Sequence, residues 1–314
     1  MNMSTETSTK SPIADDLSQM AVAMSLPCAR CGYDLRSLAA DTDCPECGEP
    51  VRLTVIETID PASKRLDPIQ KPKLVGNAIL GVVASYFVST LLALTTLLIH
   101  APNSLPIPQF VRNLPTTGIL WGAAACGLLT ILFLMPLIRM CQLKELAGCR
   151  TGVMLTMTGI LLWSLSMVLI DFLLIRDVQP AVYFGLKYSS FSMLFDTCFP
   201  VVSAGLVFSG FRKLVPRLGQ RSRAFRQAQG SRQRMSDLLA ALVVIIVGRT
   251  VIMNSPADSN LSILGLIIMV MSVSLIVIGL GYLLRNTIWI RRALVTPPPA
   301  LTELLNPISE QQNA

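Results

Sequence analysis

Residues 262 to 284 read Ser-Ile-Leu-Gly-Leu-Ile-Ile-Met-Val-Met-Ser-Val-Ser-Leu-Ile-Val-Ile-Gly-Leu-Gly-Tyr-Leu-Leu, 23 consecutive positions without a charged side chain. A hydrocarbon core of about 30 Å is crossed by roughly 20 helical residues, so this run is long enough to span a bilayer. Five runs of similar character precede it, at about 75 to 99, 117 to 138, 152 to 175, 190 to 210 and 237 to 253. Asp196 and Pro200 interrupt the fourth, and Arg249 the fifth. A proline inside a span is tolerated where neighbouring helices satisfy the freed carbonyl. Composition agrees: 52% hydrophobic and 14% charged residues over 314 positions fit neither an ordinary globular chain nor a disordered one. The fold class is therefore an all-α integral membrane protein, with six transmembrane helices within residues 75–292.

Charge orients these spans. Lys64, Arg65, Lys71 and Lys73 just before the first run, with the Lys and Arg between the second and third, between the fourth and fifth, and after the sixth, total eighteen, against three in the other loops. Loops rich in Lys and Arg are retained in the cytoplasm, which predicts a cytoplasmic (inner) membrane protein with both termini on the cytoplasmic side. Residues 1–25, rich in Ser, Thr and Asp, lack the basic start and apolar middle of a secretory signal and read as a disordered tail. Pro61, Pro68 and Pro72 mark residues 60–74 as a linker. Trp289 beside Arg291 and Arg292 reads as an interfacial anchor, and Pro297-Pro298-Pro299 lies in a tail, 293–314, expected to be unstructured.

Ahead of the spans stands Cys28-Ala29-Arg30-Cys31-Gly32, followed by Cys44-Pro45-Glu46-Cys47-Gly48. Two residues between paired cysteines let both thiolates approach one ion from a single turn, and a second pair completes the four tetrahedral ligands that zinc prefers. Gly32 and Gly48 can take the positive φ that frees backbone N–H groups to point at sulfur. A reducing cytoplasm also favours metal thiolates over disulfides for these four residues. Four thiolates on a divalent ion leave two excess negative charges, which Arg30, Arg36 and Arg52 are near enough in sequence to offset. Val51 to Ile59 alternates in the manner of a strand and is expected to extend the second hairpin, giving a small β zinc ribbon over 26–59.

Over about residues 26 to 50 the Cys-Gly-Tyr and Cys-Pro-Glu-Cys-Gly segments resemble the zinc-ribbon class and have a rubredoxin-like look. A short ribbon ahead of several spans is also similar to a group of bacterial multi-pass membrane proteins, a likeness that implies an architecture and no activity. Rubredoxins separate their cysteine pairs by a longer insert than the twelve residues here, which favours zinc over an electron-transferring iron.

Three further features bear on function. Asp171, Asp196 and Arg249 fall in the apolar runs, and at 1.5 Å per residue all three lie roughly 6 to 9 Å below the outer boundary, where they could meet in one layer. The segment from Phe211 to Met235 has eight Lys or Arg and no acid; Phe211, Leu214, Leu218 and Phe225 interleave with them, as in an amphipathic helix lying on anionic lipid head groups. Gly118 and Gly122 form a small-residue contact pattern. The other cysteines, Cys126, Cys141, Cys149 and Cys198, form no knuckle, and the lone His100 excludes the HExxH zinc proteases. Phosphate-binding GK[ST] loops, GxSxG elbows and EF-hands are missing from the sequence. Residues 1 to 74 carry eight basic and eleven acidic side chains, the wrong balance for nucleic acid. The function expected is a non-enzymatic membrane scaffold or accessory protein whose ribbon docks a cytoplasmic protein partner. The alternative is a transporter or channel subunit using the Asp171, Asp196 and Arg249 layer.

Overall fold

The computed structural model describes residues 20–60, 66, 69, 71–99, 108–142, 149–172, 193–228, 234–256, 259–299 and 301–307. The chain forms two units, Met1–Leu66 with Thr296–Ala314, and Asp67–Val295. In the first, strand β1 (Met20–Val22) pairs antiparallel with β2 (Leu305–Pro307), Ala21 facing Asn306. Between them in sequence lie the cysteine knuckles and helix α1 (Val51–Ile59).

Two expectations are corrected in this unit. Residues 51 to 59 form a helix, not a strand: Val51, Thr54, Val55 and Ile59 are buried, which is a helical face at spacings of three and four, and Pro50 immediately precedes it. The polar alternation over so short a run did not distinguish the two periods. The C-terminal tail is also structured over Leu301–Pro307, where a helical turn leads into β2 and Leu304 and Leu305 are 1% and 4% exposed. Their burial beside Val22, Leu26, Leu35, Val51 and Val55 makes both ends of the described chain contribute to one small core.

The second unit contains six helices long and apolar enough to cross a membrane. They are α2 (Pro72–Ile99), α3 (Thr116–Gln142), α4 (Arg150–Ile170), α5 (Phe199–Gly219), α6 (Met235–Asn254) and α7 (Asn260–Val295). Each packs on its sequence neighbour and α7 closes back on α2, so the helices form a ring. Inside it Tyr86 of α2 is 1% exposed and meets Trp163 of α4 and Phe208 and Phe211 of α5 edge-on, with ring centroids 5.7, 6.2 and 6.1 Å apart. Trp163 Nε1 donates to Ser89 Oγ at 2.9 Å, and Ser89 Oγ donates to the Ala123 carbonyl at 2.6 Å, tying α4, α2 and α3 together. Such pairs satisfy polar groups that hydrocarbon cannot. Outward, Ile263, Ile267, Met271, Leu275 and Ile278 form a stripe along α7, each more than half exposed, as a lipid-facing surface requires.

The tight crossings are not where the sequence pattern placed them. A Cβ on Gly118 would meet nothing closer than 3.8 Å and one on Gly122 nothing closer than 3.6 Å, ordinary contacts. A Cβ on Gly159 of α4 would lie 2.8 Å from the Ser203 carbonyl oxygen and the Val207 backbone nitrogen of α5. Gly248 and Gly265 likewise hold α6 against α7, each added Cβ falling 3.0 and 2.9 Å from the other's carbonyl oxygen. Gly159→Ala is therefore expected to destabilise the bundle by about 1–3 kcal/mol, as overpacked cores do. Thermal unfolding in detergent should show the loss for Gly159→Ala and none for Gly118→Ala.

Candidate metal centre

Each cysteine pair is held by the same backbone device. Cys28 N–H donates to the Tyr33 carbonyl at 2.7 Å and Gly32 N–H to the Cys28 carbonyl at 2.9 Å. In the second knuckle Cys44 N–H donates to the Glu49 carbonyl at 2.8 Å and Gly48 N–H to the Cys44 carbonyl at 2.9 Å. Gly32 and Gly48 have φ of 79° and 71°, the left-handed region that a side chain would resist. Asp34 braces the first loop by accepting from the N–H groups of Leu26 and Arg36 at 3.0 and 3.1 Å, and these bonds hold its carboxyl below the usual range. Arg30 reaches across to the other knuckle, 3.8 Å from the Glu49 carboxylate and 3.5 Å from the Cys47 carbonyl.

The sulfurs of Cys28, Cys31, Cys44 and Cys47 all lie within 4.8 Å of one another. Cys28 Sγ stands 3.7 Å from Cys47 Sγ, and Cys31 Sγ 3.6 Å from Cys44 Sγ. A disulfide needs about 2.05 Å, so neither pair is bridged. A tetrahedron of metal–sulfur bonds of about 2.3 Å has edges of about 3.8 Å, so the cluster has the size of a four-thiolate metal site. Its electrostatics point the same way. The N–H groups of Cys31 and Arg30 draw the Cys28 thiol down to about 6. The Glu49 N–H acts in that direction on Cys47, but desolvation and the sulfurs of Cys31, Cys28 and Cys44 outweigh it and push that thiol up to about 12. The Cys28 sulfur is thus ready to bind as thiolate, while Cys31 and Cys47 are pushed toward the protonated form until a cation replaces the proton.

The intramembrane residues divide differently. Asp196, in the π-helical turn Met193–Cys198, receives Arg249 Nη2 of α6 on Oδ2 at 2.7 Å and the Thr197 hydroxyl on Oδ1 at 2.6 Å. Asp171, at the end of α4, is fully buried and accepts from Trp121 Nε1 of α3 at 3.1 Å. The structure brings Arg249 to Asp196 and gives Asp171 the indole as a neighbour. The indole partner was not read from the sequence, because fifty positions separate it from the aspartate and no periodic pattern joins them.

The basic segment is corrected in one respect. Residues through Gly219 continue α5, Arg223–Gln227 form a further turn, and Phe211, Leu214, Leu218 and Phe225 are at most 3% exposed. The apolar side chains interleaved with the charges pack inside the protein and are not a lipid-inserting face. Their helical spacing is the period of a packed helix, which sequence alone shares with an interfacial one. Residues 1–19 and 308–314, His100, and the segments 143–148 and 173–192 lie outside the described residues.

No family model, curated protein or solved structure matches the chain.

Two outcomes are expected. Because metal must displace protons from the raised thiols, chelator competition between pH 6 and pH 8 should show affinity rising with pH. In a double-mutant cycle, Arg249→Leu and Asp196→Leu should be coupled by about 0.5–3 kcal/mol in detergent melts, the double variant being more stable than the sum of single losses allows.

Proposed function

We propose that the protein is a non-enzymatic membrane scaffold or accessory protein whose zinc-held ribbon docks a cytoplasmic protein partner. The observation that carries this reading is the convergence of four sulfurs within 4.8 Å. Four protein ligands complete a tetrahedral shell and leave no position for water or substrate, which is the arrangement of a structural site and not of a catalytic one. Zinc is the metal that such a closed thiolate set suits in a reducing compartment. The ion stabilises a unit whose buried core is too small to stand without it.

The orientation follows from the basic residues: Arg212, Lys213 and Arg217 are exposed at the end of α5, in the segment where the positive charge is densest. By the positive-inside rule that end faces the cytoplasm, with both chain termini and the ribbon on the same side. The transporter reading is the weaker one. Arg249 and Asp196 neutralise each other at 2.7 Å, so neither charge requires a transported ion to balance it.

The test is elemental analysis of the full chain purified in detergent, joined to crosslinked pull-down from membranes expressing wild type or Cys28→Ser/Cys44→Ser. One zinc per chain and selective loss of a specific partner from the variant, with the bundle still folded, are expected. A zinc-free wild type, or a variant that keeps every partner, would contradict the reading.

A further inference from the structure

Near the end of α7 that carries Arg291 and Arg292, a cleft of about 130 Å³ is lined by Ala228, Tyr282, Arg285, Asn286 and Trp289. Its chemistry is one-sided. The Arg285 guanidinium lies 4.7 Å over the Trp289 ring, a stack that fixes its plane and leaves its N–H edges free to point away from the ring. Among the described residues it makes no hydrogen bond or ion pair. Asn286 is only 6% exposed, yet its side-chain amide has no hydrogen-bond partner among the described residues. The amide opens onto the cleft, where it can donate to an external acceptor. Among the described residues no carboxylate lines the cleft, and Arg223 and Arg226 stand on the turn packed against α7.

Depth identifies the acceptor. The uncharged run ends at Leu284, so Arg285 is the first charge beyond it, and Tyr282 and Trp289 stand on either side of that boundary. Tyrosine and tryptophan favour the level where hydrocarbon meets head groups. An apolar, outward-facing stripe, Ile267, Met271, Leu275 and Ile278, runs along the same helix. A ligand with an anionic head and an apolar tail matches both surfaces. Arg285 already stacks on one face of Trp289 and its positive charge would repel a second cation, so the cleft is poorly suited to a choline group.

We propose that this cleft is a specific site for the phosphate of an anionic phospholipid, with Arg285 and the Asn286 amide donating to its oxygens. The site involves none of the residues that bind metal and holds whether or not the ribbon docks a partner. Native mass spectrometry of the full chain in neutral detergent tests it, with phosphatidylglycerol, phosphatidylcholine and inorganic phosphate as probes. Wild type is expected to bind its first phosphatidylglycerol at least fivefold more tightly than phosphatidylcholine. Arg285→Gln should bring the two within twofold, whereas Arg139→Gln, which removes an exposed charge from α3, should keep the preference. Asn286→Asp, nearly the same size but negatively charged, should abolish it independently, with melting temperature confirming that each variant is folded. Equal binding of the two lipids by wild type, an equal loss in Arg139→Gln, or displacement of the lipid by millimolar inorganic phosphate would overturn the proposal, the last by assigning the cleft to a soluble anion.

Discussion

Sulfur crowding is the constraint on which the first unit turns. Four cysteine sulfurs gathered within 4.8 Å are mutually unfavourable as anions, and Cys47 is pushed up to about 12 while Cys28 is drawn down to about 6. A divalent cation removes this conflict at one stroke, since it accepts all four lone pairs and replaces the protons. The two knuckles are built to present sulfur in this way: in each, a positive-φ glycine turns its N–H back to the first cysteine's carbonyl. The remaining core of the unit is a handful of aliphatic side chains, some of which come from the far end of the sequence. Metal binding and the docking of Leu304 and Leu305 therefore stabilise the same small structure, and each is expected to strengthen the other.

The helical unit obeys a different solvent. Apolar surface is exposed along α7 without penalty in lipid, and the interior is held by shape and by paired polar groups. Glycine sets the closest approaches, at Gly159 against α5 and at Gly248 against Gly265. Tyr86 and its three aromatic neighbours occupy the middle of the ring. Among the described residues Arg249 pairs with Asp196, and Asp171 accepts from the Trp121 indole. Contacts of this kind fix one helix against another.

Much of this was legible in the sequence, for physical reasons. The six spans could be read because lipid demands long uncharged runs, and the metal cluster because ligand spacing is dictated by a tetrahedron. What escaped was information carried by distant pairs or shared between two periods. Val51, Val55 and Ile59 fit a helix face, yet nine residues with loose alternation fit a strand as well. Nothing local announced that Leu304 and Leu305 would meet Val22 across nearly the whole chain. Gly118 and Gly122 carry the familiar small-residue spacing, but close approach depends on what the neighbouring helix presents there, and Gly159 was the position facing backbone. Phe211 and Leu218 have the seven-residue spacing of one helix face, but that spacing does not say whether protein or lipid covers the face, and here protein does.

The central claim is that the protein holds one metal ion in a closed shell of four thiolates. X-ray absorption at the metal edge, recorded on the full purified chain, examines that shell directly. Zinc with four sulfur neighbours at about 2.3 Å and no oxygen or nitrogen in the first shell is the predicted result. A spectrum with an oxygen or nitrogen ligand, or sulfurs too few to close the tetrahedron, would contradict it.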